Sequence, residues 1–191
     1  MSASTATAAR FRPGSTAKVG LLTIIASETF FFATALSAYF FIRLEHPEWS
    51  LSAHTPTGLL APSLNTAMFV VSGGVIWFAL RAVHNDRIPA VQTALGLTFV
   101  LGLAFIGGQI FDFSQSGLKP DDAALGGIFL ALIGFHAIHV LAGMIYLGMT
   151  YARTRLGDFS AESHTSITMC AWFWTFVVVV WVVLFGALYL I

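Results

Sequence analysis

The chain has 191 residues, 57% of them hydrophobic and only 9% charged, and its nine basic and nine acidic side chains cancel. Such a composition excludes a water-soluble globular domain with an ordinary polar surface. The zero net charge gives no reason to expect nucleic acid as a partner. The Ala/Ser/Thr-rich lead from Met1 to Thr16 has neither a hydrophobic h-region nor a cleavage site, so it does not read as a signal peptide. Residues 1–18 are expected to form a flexible cytoplasmic arm, and residues 19–191 a single membrane domain.

A spanning helix needs about 20 mostly apolar residues. Five stretches qualify: residues 19–42, 63–83, 90–111, 127–151 and 165–190. The unbroken apolar run from Phe176 to Phe185 lacks the alternation of a barrel strand. The predicted fold is therefore all-α: a polytopic membrane protein with five transmembrane helices in an antiparallel bundle. No internal repeat of the kind found in many transporters is visible.

The first span carries a carboxylate, Glu28, between Ile24-Ile25-Ala26-Ser27 and Thr29-Phe30-Phe31-Phe32. A charge there has no water to stabilise it, so the group must be neutral, paired inside the bundle, or facing a hydrated path. A plain interhelical hydrogen bond and a proton-handling role both remain open. The gap at residues 44–62 contains Pro47, Pro56, Gly58 and Pro62 and reads as an irregular outer loop with an interfacial turn at Trp49.

Small residues mark where helices can touch: Ser72-Gly73-Gly74 in the second span, Gly107-Gly108 in the third, and Gly126-Gly127, Gly134 and Gly143 in the fourth. The fourth span is accordingly expected at the centre of the bundle. Asp112, one turn after Gln109, falls near the outer end of the third span and reads as a hydrated helix-end pair rather than a relay.

In the fourth span His136 and His139 are three residues apart, on nearly one helical face. They could supply two metal ligands, but a closed site needs further ligands from another helix. Two imidazoles on one face also cannot grip opposite sides of a haem. His84 and His164 lie near the cytoplasmic helix ends, too far along the axis to complete a mid-membrane site. The favoured reading has the histidines hydrogen-bonded across helices, to Glu28 or to neighbouring groups. No metal or cofactor is assigned to the chain.

In the last span Trp172-Phe173-Trp174, like Phe30-Phe31-Phe32 in the first, is read as bulk for lipid or partner contact, and Cys170 as a small packing residue. Seven of the nine basic residues, Arg10, Arg12, Lys18, Arg81, Arg87, Arg153 and Arg155, fall on one side, leaving Arg43 and Lys119 on the other. Basic residues favour the cytoplasmic face, which places the N-terminus inside and the C-terminus outside. There is no phosphate-binding glycine loop, cysteine pair, Ser-His-Asp set or carboxylate metal cluster. No catalytic residue is assigned.

Several short patterns then occur in order: Ser27-Glu28 before a phenylalanine run and Ala38-Tyr39-Phe40; Leu64-Asn65-Thr66 leading to Ser72-Gly73; Gln109 and Asp112; Gly134-Phe135-His136, His139-Val140 and Gly143; His164; and Trp172-Phe173-Trp174 with Trp181. Together they resemble subunit III of the haem–copper terminal oxidases, in a five-helix bacterial form, over nearly everything from Ala26 to Tyr189. The resemblance implies an accessory subunit without haem or copper, packed against a catalytic subunit I that holds the haems and the oxygen-reducing site. It implies support of proton uptake and of oxygen access, bound phospholipid, and a multi-pass location in the bacterial inner membrane. The family's buried glutamate falls on Glu28, and its histidine pair on His136 and His139. Asp112 and His164 complete the polar positions to which a proton-handling or structural role is carried over.

The last helix departs from the family pattern, which has a histidine and an aspartate where this chain has Thr175 and Val178. Losing both together is physically coherent, because removing one member of a buried polar pair strands the other. The third-span acid is also shortened to Asp112. These changes read as a divergent branch, one serving an oxidase within a larger respiratory supercomplex. The other readings weighed are an accessory subunit of a nitric oxide reductase or quinol oxidase and an independent small transporter.

Overall fold

The computed structural model describes residues 13–45, 58–116, 123–157 and 164–190. The first twelve residues of the expected arm, Trp49 and Lys119 lie outside them. Among the described residues are five long helices and no strand: α1 (Pro13–Glu45), α2 (Leu60–His84), α3 (Ile88–Ser116), α4 (Ala123–Arg155) and α5 (Thr165–Phe185). The last helix runs on into a wider, π-type turn at Gly186–Leu190. All five are long and apolar enough to cross a membrane.

Helices suit this setting because each backbone N–H and C=O is satisfied within its own segment, where no water can help. The polar side chains of α1 follow the same rule. Thr23, Thr29, Thr34 and Ser37 donate their hydroxyls to the carbonyls of Val19, Ile25, Phe30 and Ala33, one turn back. Hydroxyls on an exposed apolar helix are thereby neutralised locally.

α2 and α3 form a tight hairpin. Its turn is closed by Asn85 and Arg87 N–H groups on the Ala82 carbonyl and by the Asp86 N–H on Val83. Asp86 takes a φ of 51°, a left-handed conformation that Asp tolerates better than most residues. α2 also packs on α5, α3 on α4, and α4 on α5, while α1 lies outside this four-helix unit against α4 and α5.

The expectation of a central fourth helix is corrected: α5 is the most buried helix and α1 the least. The glycines do mark close approach, but several serve as notches for bulky residues of α5. A Cβ built on Gly102 of α3 would lie 2.8 Å from Trp174, and one on Gly143 of α4 would lie 3.0 Å from the same ring. A Cβ on Gly73 of α2 would meet Val178 at 3.4 Å. Large residues on α5 enter gaps cut into three neighbours, so the helix with the bulk becomes the core. Gly74, Gly107 and Gly134, by contrast, have nothing within 4 Å of such a position.

Trp174 is consequently a core residue rather than a lipid-facing one. It is fully buried, and its indole N–H donates to the Ser72 hydroxyl of α2 at 3.0 Å. Trp181, two turns on, is also fully buried and donates to Thr66 Oγ1 at 2.9 Å. Phe69 and Phe105 stack between these indoles with ring centroids 3.9 Å apart. In the first-span phenylalanine run only Phe32 is buried; Phe30 and Phe31 remain exposed.

Candidate functional site

The helix registers bring Glu28 of α1 and His139 of α4 together, with Glu28 Oε2 3.2 Å from His139 Nε2. The other ring nitrogen of His139, Nδ1, lies 2.7 Å from the Phe135 carbonyl. A carbonyl oxygen can only accept, so Nδ1 carries a proton and donates it there. A hydrogen bond at the contact to Glu28 requires one further proton between the two atoms. Either the Glu28 carboxyl donates to Nε2, or an Nε2–H of the imidazolium donates to the carboxylate. Both arrangements leave the pair neutral overall, which resolves the cost of placing an ionisable group in the apolar interior.

The aromatic surroundings narrow access to this pair. Phe32 packs edge-on to the His139 ring at 5.2 Å, and Phe31 to Phe135 at 5.0 Å. The Glu28 side chain still keeps 33% of its surface exposed, against 16% for His139. The carboxyl is therefore the accessible member of the pair.

His136 is close in sequence but faces elsewhere. Three residues of an α-helix turn through about 300°, which leaves the two imidazoles roughly 60° apart. His136 points into the four-helix unit and donates Nε2–H to the Val177 carbonyl of α5 at 3.1 Å. Its ring, almost fully buried, lies 5.0 Å from that of Trp181 and edge-on to Phe69 and Phe105. It joins α4 to α5, as His139 joins α4 to α1.

The remaining predicted residues do not join this pair. Asp112 is half-buried toward the end of α3, and the nearby Gln109 Nε2 is buried without a hydrogen-bond partner among the described residues. Gln109 and His136 both border an apolar cavity of about 260 Å³ between α3, α4 and α5. His164 lies at the other end of the bundle, with its ring centroid 4.4 Å from that of His84. The depth of the two residues excludes a mid-membrane site, and their common place at one end of the bundle is the sequence signal that pairs them. Among the described residues no group of three metal-ligating side chains converges.

Five membrane-crossing helices, several of whose embedded polar side chains link helix to helix, define a multi-pass membrane protein. The family model for cytochrome c oxidase subunit III matches residues 7–191. The cytochrome c oxidase subunit 3 of Thermostichus vulcanus is 30% identical over 174 residues, covering 91% of this chain and 86% of that protein. The subunit 3 of Rhipicephalus sanguineus is 32% identical over 178 residues, covering 90% and 69%. That of Homo sapiens is 32% identical over 180 residues, covering 90% and 68%. The chain belongs to the cytochrome c oxidase subunit III family. Members are accessory subunits of haem–copper oxidases, assembled with subunit I in a multisubunit complex and carrying no redox centre of their own; in bacteria they sit in the inner membrane.

Proposed function

We propose that this chain supports a proton-pumping, oxygen-reducing oxidase from beside its catalytic subunit, and that the Glu28–His139 pair is where it acts on proton uptake. The observation that supports this reading is the approach of Glu28 Oε2 to His139 Nε2, 3.2 Å apart, while His139 Nδ1 lies 2.7 Å from the Phe135 carbonyl. A pair that is neutral with the proton on either side can pass it across without creating a net charge in the membrane. The exposed carboxyl is the end through which that proton would exchange. His136, Asp112 and His164 take structural polar roles outside this exchange.

Three further assignments accompany this reading. The N-terminus, with the arm that leads into α1, faces the cytoplasm and the C-terminus faces outward, as the basic residues favour. Residues 19–191 act as one membrane domain. Phospholipid occupies the apolar cleft between α1 and α5, a cavity of about 230 Å³ bordered by Thr29, Phe32, Leu36, Phe176 and Val180. Its near absence of polar lining suits an acyl chain and leaves an apolar path for dioxygen.

The test is made in the assembled oxidase. Glu28→Gln keeps a donor toward the His139 lone pair, so assembly with subunit I and initial turnover are expected to persist. Glu28→Leu strands that lone pair and should lower the yield of complex and hasten the loss of activity during prolonged cycling. Parent-like behaviour of both variants through prolonged cycling would remove the role given to Glu28.

A further inference from the structure

We propose that His84 and His164 form a binding site for a divalent transition-metal ion of the zinc class, at the end of the bundle where α2 stops and α5 begins. The two imidazoles come from positions 80 residues apart in the chain, and their ring centroids are 4.4 Å apart. With metal–nitrogen bonds of about 2.0–2.1 Å, two imidazoles in adjacent coordination positions place their centroids roughly 4.5 Å apart at an angle of about 90° and roughly 5.2 Å apart at the tetrahedral angle. The observed spacing is close to the lower of these, so the rings need only part by less than about 1 Å to admit a tetrahedral ion.

The ring nitrogens support the assignment. His84 Nδ1 lies 2.6 Å from the Leu80 carbonyl, so it carries the proton and donates it, leaving the lone pair on Nε2. Metal-ligating histidines are oriented in this way, the non-ligating nitrogen donating to a carbonyl or carboxylate. His164 Nδ1 is buried and has no hydrogen-bond partner among the described residues. A buried ring nitrogen left so calls for an explanation, and an ion is one.

The scaffold is held in place on both sides. The His164 carbonyl accepts from both the backbone N–H and the hydroxyl of Thr168, at 3.1 and 3.3 Å, which fixes the first turn of α5. His84 is the last residue of α2, directly before the closed hairpin turn. It is exposed at the limit of the spanning segment, so an ion can arrive from the aqueous phase. No third histidine, cysteine or carboxylate joins the pair among the described residues. Two imidazoles then leave further coordination positions to water, which makes the site exchangeable rather than structural or redox-active.

The experiment uses the untagged full chain in detergent, titrated with Zn²⁺ by calorimetry and with Co²⁺ by visible absorption. Far-UV circular dichroism verifies that each variant is folded. The parent is expected to bind one ion per chain. His84→Gln and His164→Gln are each expected to weaken binding by more than the roughly 10–100-fold that loss of an outer-shell partner causes. His54→Gln, in the gap at residues 44–62, is expected to bind like the parent. Absence of saturable binding by the parent, retention in either His84→Gln or His164→Gln, or loss in His54→Gln overturns the proposal.

Discussion

Trp77 of α2 donates its indole N–H to the Thr175 hydroxyl of α5 at 2.9 Å, and that hydroxyl in turn donates to the Ala171 carbonyl at 2.7 Å. By the sequence resemblance, Thr175 stands at the position of a histidine and Val178 at that of an aspartate. Val178 is buried against Gly73, so an apolar plug fills the place of the acid. The two positions are served by one short hydroxyl–indole bond and one packing contact, and the Thr175 hydroxyl is not stranded. Interhelical bonds of this sort contribute on average about 0.6 kcal/mol and up to about 1.7 kcal/mol in a membrane. Thr175→Val is expected to destabilise the chain by an amount in that range, read from reversible unfolding in mixed micelles. Adding Trp77→Phe should cost little more, because both changes remove the same bond.

The glycine notches give a sharper contrast. Gly102→Ala and Gly143→Ala press a methyl group to 2.8 and 3.0 Å from the fully buried Trp174 ring, and Gly108→Ala to 2.6 Å from the Asn65 amide. Overpacking of this kind costs about 1–3 kcal/mol. Asn65 has little room to yield, because its Nδ2–H is held by the Phe105 carbonyl at 3.1 Å. Gly74→Ala and Gly107→Ala meet nothing within 4 Å and should be neutral or slightly stabilising. A thermal-shift series across these five variants tests the division, and equal effects in the two groups would contradict it.

The five spans were legible because length and apolar composition suffice to define a membrane crossing, and each predicted stretch lies within one observed helix or its continuing turn. The Glu28–His139 partnership was also within reach, since mid-membrane polar groups at matching depth have few other partners. The order of burial was not. These helices are apolar on every side, so no stripe separates the face toward lipid from the face toward the bundle. Small residues were read as marking the central helix, whereas Gly73, Gly102 and Gly143 sit on three different helices and admit the bulk of a fourth. For the same reason the sequence points Trp174 to lipid or partner contact: an indole in an apolar run carries no sign of its Ser72 partner 102 residues away.

The two buried indoles make a matched test of that polar wiring. Ser72→Ala removes the acceptor of Trp174, and Thr66→Val that of Trp181. Each leaves a fully buried N–H unpaired, at a cost of about 1–3 kcal/mol. Pairing Thr66→Val with Trp181→Phe removes donor and acceptor together. The combined variant is expected to lose less than the sum of its parts in a chemical denaturation cycle. Strict additivity would mean that the 2.9 Å bond is energetically idle.

The same logic applied to Glu28 and His139 separates a shared proton from simple contact. Glu28→Leu leaves the Nε2 lone pair of His139 without a donor while Nδ1 stays on Phe135. His139→Leu leaves an ionisable carboxyl facing hydrocarbon. Each single change should therefore destabilise by about 1–3 kcal/mol. In the double Leu variant neither group is stranded, and α1 meets α4 through apolar side chains alone. Its stability should recover toward the parent, measured by unfolding of the purified chain. Glu28→Gln should stand near the parent without any second change, because its amide N–H can donate to the same lone pair. A double variant weaker than either single one would show that the contact between these helices depends on packing by the original side chains rather than on the hydrogen bond between them.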